Sequence, residues 1–503
     1  MIAASLAARI AVVNDLLCAA NVLTWDSRTM MPPGAVAARG RQLATLTVLA
    51  RRELLSAETR HAVDAALRAT EAGPPDSAAH RAAEQTRDAI AHHDRVPEAL
   101  EARRAESRTV AQAAWAAARA ASDFAAFAPY LAEQVALVRE LAEAIGYAVH
   151  PYDALIGLYE PGETVASLDA LFATLRAGLL PLVRAATGRP PPRLDVLSRD
   201  YPPEAQRAFG LMVAERFGYD LARGRLDPTV HPFEISATRD DVRITTRYDR
   251  HNIVSALQGI MHEAGHGLYE QSVDPAYSRT TLTTDLIGLY AVGGTSFGAH
   301  ESQSRLWENH VGRSRRFWAL QYPELRAVFP DALADIDADT FYAAFNAVRP
   351  GLIRVEADEL TYDLHVMLRV DLERRLVEGS LAVAELPEAW NAAMAADLGV
   401  AVPDDRRGVL QDVHWASGYV GSFCTYTVGN VMAAQLHAAA ARDPAVAAGQ
   451  EAGDYAPLRG WLTDAVCRHG RRFGRDELLV RATGRGLEAA DYVGYLAGKY
   501  SAT

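Results

Sequence analysis

Cysteine is almost missing from this chain: Cys18, Cys424 and Cys467 are the only three in 503 residues. So sparse and odd a set excludes a disulfide framework and suits a reducing compartment, giving the expectation of a cytoplasmic protein. No two of them stand at metal-site spacing. A basic excess is also lacking. Lys and Arg total 51 against 63 Asp and Glu, a formal net charge of −12. No basic stripe with interleaved aromatics occurs, so nucleic acid is not an expected partner. Long apolar runs are absent too, none reaching the roughly eighteen residues of a membrane span. Residues 1–9 lack the basic start of a signal peptide, and Asn14 and Asp15 break the apolar stretch that follows. An amphipathic helix and no membrane association are the expectation.

What is present describes a globular chain. Hydrophobic residues make up 50% and charged residues 23%, which excludes wholesale disorder and allows a large core. Residues 1 to about 185 read as successive helices rich in Ala, Arg and Glu, nearly free of β-branched runs. Gly188-Arg189-Pro190-Pro191-Pro192 is the sharpest break. It suggests an N-terminal helical lobe, 1–190, and a second lobe, 191–503, within one unit spanning 1–503. Between 229 and 248 the texture changes: residues 230–236 and 241–248 read as two short strands joined by a polar turn. From 253 the pattern is helical almost to the end. The class is mainly α with a small β element.

The chemistry concentrates in His262-Glu263-Ala264-Gly265-His266. Residues four apart share one helix face, so two imidazoles at this spacing can grip one Zn²⁺. Glu263 then sits beside the metal as a general base. The apolar run Ile253 to Met261 leads into the motif as a helix would. Such a pattern also arises by chance in roughly a few chains per hundred, so its weight depends on a third ligand. His300-Glu301-Ser302-Gln303 offers one, in the first turn of a helix that Ser296 or a neighbour could cap. A carboxylate there completes a His₂Glu set with an open position for water. The plain alternative is that Glu301 only complements a helix N-terminus, and His300, Glu308 and Glu270 are rival ligands. With the set complete, Glu263 takes a proton from water and later hands it to a leaving amine. Peptide-bond hydrolysis is the reaction class. The strands just before the motif could add an extended peptide as a further strand, or merely cap the core.

Taken in order, these motifs resemble the carboxypeptidase Taq family of zinc metallocarboxypeptidases. They are His231-Pro232-Phe233; Asp241-Val242-Arg243-Ile244-Thr245; the zinc motif; His300-Glu301-Ser302-Gln303; Ile353-Arg354-Val355-Glu356-Ala357-Asp358; and residues 408–415, ending in Asp412-Val413-His414-Trp415. Trp25-Asp26 and Met31-Pro32 add an N-terminal likeness, so the resemblance spans essentially the whole chain. It implies a neurolysin-like, mainly α metallopeptidase fold with a deep groove and a small β element beside the zinc helix. It further implies a cytoplasmic homodimer that needs Zn²⁺ or Co²⁺ and removes C-terminal residues from peptides with broad specificity. Glu301 becomes the third ligand.

Two further roles follow from the resemblance. A free α-carboxylate is best held by the planar fork of Arg, with Arg354 the first choice and Arg243 the second. Either could instead form a structural ion pair, and Arg354 has Glu356, Asp358 and Glu359 close in sequence. A donor to the tetrahedral oxyanion is also needed. In related helical enzymes a His and a Tyr about twelve residues apart serve there, as His414 and Tyr426 stand here.

The chain departs from the family at Tyr419, Val420, Ser422 and Cys424, where Ser, Phe, Tyr and Pro are usual. Cys424 reads as a small packing residue rather than a nucleophile. The interval from His266 to Glu301 is longer than expected by about nine residues, suggesting an extended loop at the groove mouth within 274–298. These changes bear on substrate preference. Rival readings are a dipeptidyl carboxypeptidase or oligoendopeptidase on the same scaffold, and a non-catalytic peptide-binding homologue, against which the intact Glu263 argues.

Overall fold

Packing gathers distant stretches of sequence. The computed structural model describes residues 4–501, and helices account for 67% of the chain. Two compact units form, one from 1–91, 192–346 and 432–487, the other from 92–191, 347–431 and 488–503. The break before Pro192 is a boundary, but contiguous lobes of 1–190 and 191–503 do not form. The reason lies in the first helices, whose apolar faces find partners far along the chain. Leu6, Ile10, Val13 and Leu17 are buried in one cluster with Leu286 and Ala291. On the same helix, Ala4–Thr29, buried Asn14 donates to Thr284 Oγ1 at 2.7 Å. Asn21 donates to the carbonyls of Ser236 and Ala291 at 2.8 and 2.9 Å. Sequence proximity carries no trace of such pairings.

Two helices, Ser5–Thr29 and Val165–Thr187, are long and apolar enough to cross a membrane, contrary to expectation. Interspersed Ala raises mean hydropathy without making a continuous run. Each packs one face into its own unit rather than lying wholly inside it. The first is tied down by its two asparagines, and the second buries Leu168, Phe172, Leu175, Leu179 and Val183.

In the first unit the β element has three strands, not two. β1 (Gly224–Pro228), β2 (Glu234–Thr238) and β3 (Asp241–Thr246) lie in the order β1-β3-β2. β2 pairs antiparallel with β3 as the expected hairpin, with an irregularity between Ser236 and Thr238. β1 joins β3 in parallel. Its sequence, Gly-Arg-Leu-Asp-Pro, has neither alternation nor β-branched residues, so nothing local announces it. Val242 and Ile244 of β3 are fully buried in the core that holds Leu257 and Ile260 of the next helix. Each such side chain stabilises the sheet-on-helix contact by roughly 1.5–3 kcal/mol.

Segment 274–298 is not a loose loop. It forms 3₁₀ turns at Pro275–Tyr277 and Thr281–Thr283 and a hairpin of β4 (Thr284–Asp285) and β5 (Tyr290–Ala291). Thr281, Leu282, Thr284, Asp285 and Leu286 are all buried. Thr284 and Arg279 meet Asn14 and Asp15 of the first helix, and Thr281 meets Thr86. Asp285 accepts the Ile287 and Gly288 amides of its own hairpin. A reading by composition cannot see such pairings.

The second unit is built around the helix Tyr362–Glu378, whose Asp363, His365, Arg369 and Glu373 have no exposed surface. Each carboxylate finds donors. Asp363 accepts from Thr427, Asn430 and Tyr492. Glu373 accepts from Tyr152, Trp415 Nε1 and the Gly421 backbone. The helix Ala490–Ser501 carries Lys499, the chain's one lysine. Its ammonium is 2.6 Å from Glu359, with side-chain exposures of 7% and 0%.

Candidate active site

The motif helix, Ile253–Ser272, starts where the Asn252 side chain accepts the Ser255 amide at 3.2 Å. That cap fixes the helix register, so His262 and His266 fall on one face with ring centroids 4.9 Å apart. A second helix, Phe297–Arg305, is capped by Ser296, whose hydroxyl accepts the Ala299 amide at 3.0 Å. Glu301 lies in its second turn rather than its first, where the helix dipole no longer explains an acid. The two helices approach closely because position 265 is glycine. A Cβ there would lie 2.5 Å from the Ser304 Cα and 2.7 Å from the Gln303 carbonyl.

The approach brings Glu301 Oε2 to 3.6 Å from His262 Nε2 and 3.3 Å from His266 Nε2. Among the described residues, His262, His266 and Glu301 have ligand atoms all within 4.8 Å of one another. The rivals have other tasks. Glu308 lies 2.9 Å from His262 Nδ1 and so fixes that ring's orientation. Glu270 lies 2.9 Å from His300 Nε2 and accepts the amides of Gly293 and Gly294. The His300 ring stacks on His266 at 4.5 Å and on Tyr269 at 5.2 Å. Glu308 thus holds one motif histidine and His300 the other.

Charge at the site follows from burial and neighbours. Burial pushes the Glu263 carboxyl up to about 7 against the pull of His262. Burial, helped by the neighbouring His300 and His262, takes His266 down to about 3 against the pull of Glu301, keeping its ring neutral. Glu301 is buried as deeply, yet Arg305 and His262 hold it well below the usual carboxylate range. Burial depresses His262, but Glu301 and Glu308 outweigh it and raise its pKa. The surrounding carboxylates thus favour positive charge at this spot, and two imidazoles with one ionised carboxylate fit a divalent metal ion.

The second unit holds another cluster. Arg354 directs Nε and Nη2 to Asp412 at 3.2 and 2.8 Å and Nη1 to the Tyr362 hydroxyl at 2.9 Å. Arg369 reaches Asp412 Oδ2 from the other side. Two guanidiniums share one carboxylate, and despite burial they keep Asp412 far below its ordinary pKa. His414 Nε2 is 3.1 Å from the Tyr426 hydroxyl, and burial pushes its pKa down to about 3. A neutral His beside a phenol can donate or accept a hydrogen bond, as oxyanion chemistry requires. Arg243, in the first unit, forks onto Asp241 at 2.8 Å and lies 4.3 Å over the Trp25 ring. Cys424 is fully buried at the start of the helix Cys424–Ala440, a packing residue as its size suggested.

Comparison with known proteins agrees with a metal-dependent protein. The match to carboxypeptidase Taq (M32) metallopeptidases covers residues 5–500. This chain belongs to that family. Thermostable carboxypeptidase 1 of Thermus thermophilus is 40% identical over 494 residues, 95% of this chain and 94% of the relative. Carboxypeptidase 1 of Bacillus subtilis is 36% identical over 485 residues, 96% and 95%. The crystal structure of the M32 carboxypeptidase from Deinococcus radiodurans R1 superposes with a TM-score of 0.93 at 40% identity, covering 99% of this chain and 98% of the other. The chain is therefore a metallocarboxypeptidase, a hydrolase whose substrates are peptides.

Within this metallocarboxypeptidase, sequence reasoning passed over Arg305, Asp412 and Glu373 and took Glu308 only as a rival ligand. For Arg305 and Glu308 a signal existed: they stand four and seven residues after Glu301, on the same helix face. For Asp412 the signal was its place in the last quoted motif. Glu373 had none.

Proposed function

We propose that this metallocarboxypeptidase holds Zn²⁺ on His262, His266 and Glu301 and removes C-terminal residues one at a time, with broad specificity. The observation that carries the reading is the convergence of those three donors beside the buried carboxyl of Glu263. Tetrahedral donors about 2.0–2.1 Å from Zn²⁺ lie roughly 3.3–3.4 Å apart. The separations of 3.3 and 3.6 Å here are of that size, though Co²⁺ would be accommodated as well. When bound, the ion supplies Lewis acidity, polarising the scissile carbonyl and acidifying water.

The chain's own groups do the rest. Glu263, with a pKa brought near neutrality, accepts the proton of the attacking water and returns it to the departing amine. His414 and Tyr426 are given the stabilisation of negative charge growing on the carbonyl oxygen, the role the family resemblance implies. Arg354 is given the terminal carboxylate, and Arg243 is second choice. Three of the five N–H groups of Arg354 are engaged, which leaves two for a ligand. A homodimer in a reducing, cytoplasmic setting is part of the same reading, supported by the resemblance and by the scarcity of cysteine.

The test is mass spectrometry of a peptide series after incubation with Zn²⁺-loaded protein. Stepwise loss of single C-terminal residues is expected, and C-terminal amidation should abolish it. Loss of dipeptides, or cleavage of the amidated peptide, would move the reading to a dipeptidyl carboxypeptidase or an oligoendopeptidase.

A further inference from the structure

The metal-facing carboxylate is not free to choose how it binds. Arg305 stands one turn after Glu301, with a side chain only 12% exposed. Its Nε donates to Glu301 Oε1 at 2.7 Å, and its Nη1 lies 3.4 Å from Glu308 Oε2. The other oxygen, Oε2, faces both imidazoles at 3.3 and 3.6 Å. The Ser304 hydroxyl also approaches Oε2, at 3.3 Å, though its shorter bond of 2.7 Å goes to the Glu301 carbonyl. The two carboxylate oxygens are thus sorted, one by a buried guanidinium and one by the histidines. After Arg305 the helix widens into a π-helical stretch, Leu306–Gly312. That stretch carries Glu308, so Arg305 bridges the third ligand and the carboxylate that orients His262.

We infer that Arg305 is a positioning residue that limits Glu301 to one coordinating oxygen, leaving room at the ion for both water and the substrate carbonyl. The inference rests on the proposed metal site. A carboxylate without such a partner can close on a metal through both oxygens, since both lone-pair faces are then open. That would take up a coordination position the reaction uses. The expected signature of losing Arg305 is a higher coordination number and a fall in kcat, with KM changing less.

The test uses Co²⁺ alone, added to the metal-stripped full chain, read by visible absorption and by chelator competition. Arg305→Met keeps the apolar stem and removes the donors. Its Co²⁺ absorption should weaken by about half as coordination rises, and kcat should fall about 10–100-fold. Arg305→Lys, which keeps a charge and a donor, should recover most of both. Should the Met variant not fold, Arg305→Leu takes its place with the same expectation. A Met or Leu variant with the wild-type Co²⁺ spectrum would overturn the inference. So would a Lys variant as impaired as Met. Failure of the wild-type chain to bind Co²⁺ or Zn²⁺ would instead sink the metal site itself, and the inference with it.

Discussion

The two polar clusters, His262–His266–Glu301 in the first unit and Arg354–Asp412–Arg369 in the second, are built on opposite principles. In the first, metal-type donors face one another, two imidazole nitrogens and a carboxylate oxygen within 4.8 Å. In the second, opposite charges already touch: one carboxylate is clasped by two guanidiniums, which leaves one positive charge in excess. The first arrangement suits a divalent ion, because lone pairs of buried donors aimed at one point are costly to desolvate unless a cation joins them. The second is held together by its own ion pairs, and its excess positive charge is compatible with the carboxylate role given to Arg354. Buried polar density alone therefore does not mark a catalytic centre; an unbalanced set of donors does.

Replacing residues in each cluster should separate the two kinds. Glu263→Gln should lower kcat by about 10²–10⁴-fold while metal binding, measured by chelator competition, stays at the wild-type level. Retained turnover would show that another group serves as base. Asp412→Asn should act oppositely, leaving Arg354 and Arg369 buried without a counter-charge. The fold should lose about 3–5 kcal/mol, seen as a lowered denaturation midpoint, with metal affinity unchanged. An unaltered midpoint would mean that the cluster is not a stabilising core.

A smaller effect is expected from Tyr426→Phe, which removes a single donor. A fall in kcat of about 10²-fold with little change in KM supports the oxyanion role; an equal rise in KM would indicate substrate binding instead. The smallest effect concerns pH. Burial raises Glu373 to about 7 in the folded chain, against 4.5 for the free group. Between those values the fold holds a proton that the unfolded chain has released, so stability present below pH 4.5 is lost as pH rises through 7. Thermal denaturation followed from pH 5 to 8 should show a falling Tm. A Tm that rises across that window would contradict the assignment.

How much of this was legible depended on distance along the chain. The motif histidines and Glu263 sit within one helical turn, so spacing alone revealed them. Glu301 is 35 positions beyond His266, and only the family likeness raised it above Glu308, Glu270 and His300. Arg354 was seen to have acids nearby, but its partner is Asp412, 58 positions away. The near neighbours serve elsewhere: Asp358 accepts the amides of Leu360 and Thr361, and Glu359 takes Lys499. Helices 4 to 187 were readable because their apolar periodicity is local. β1, the packing of 274–298 and the interleaved units were not, because each is fixed by partners the sequence order does not reveal.

The lone lysine has a practical consequence. With Lys499 locked against Glu359, amine-directed reagents meet no exposed side chain among the described residues. Succinimide-ester cross-linkers, biotin tags and reductive methylation therefore have almost nothing to grasp, and proximity mapping of this enzyme with its substrates will have to go through carboxylates or guanidines.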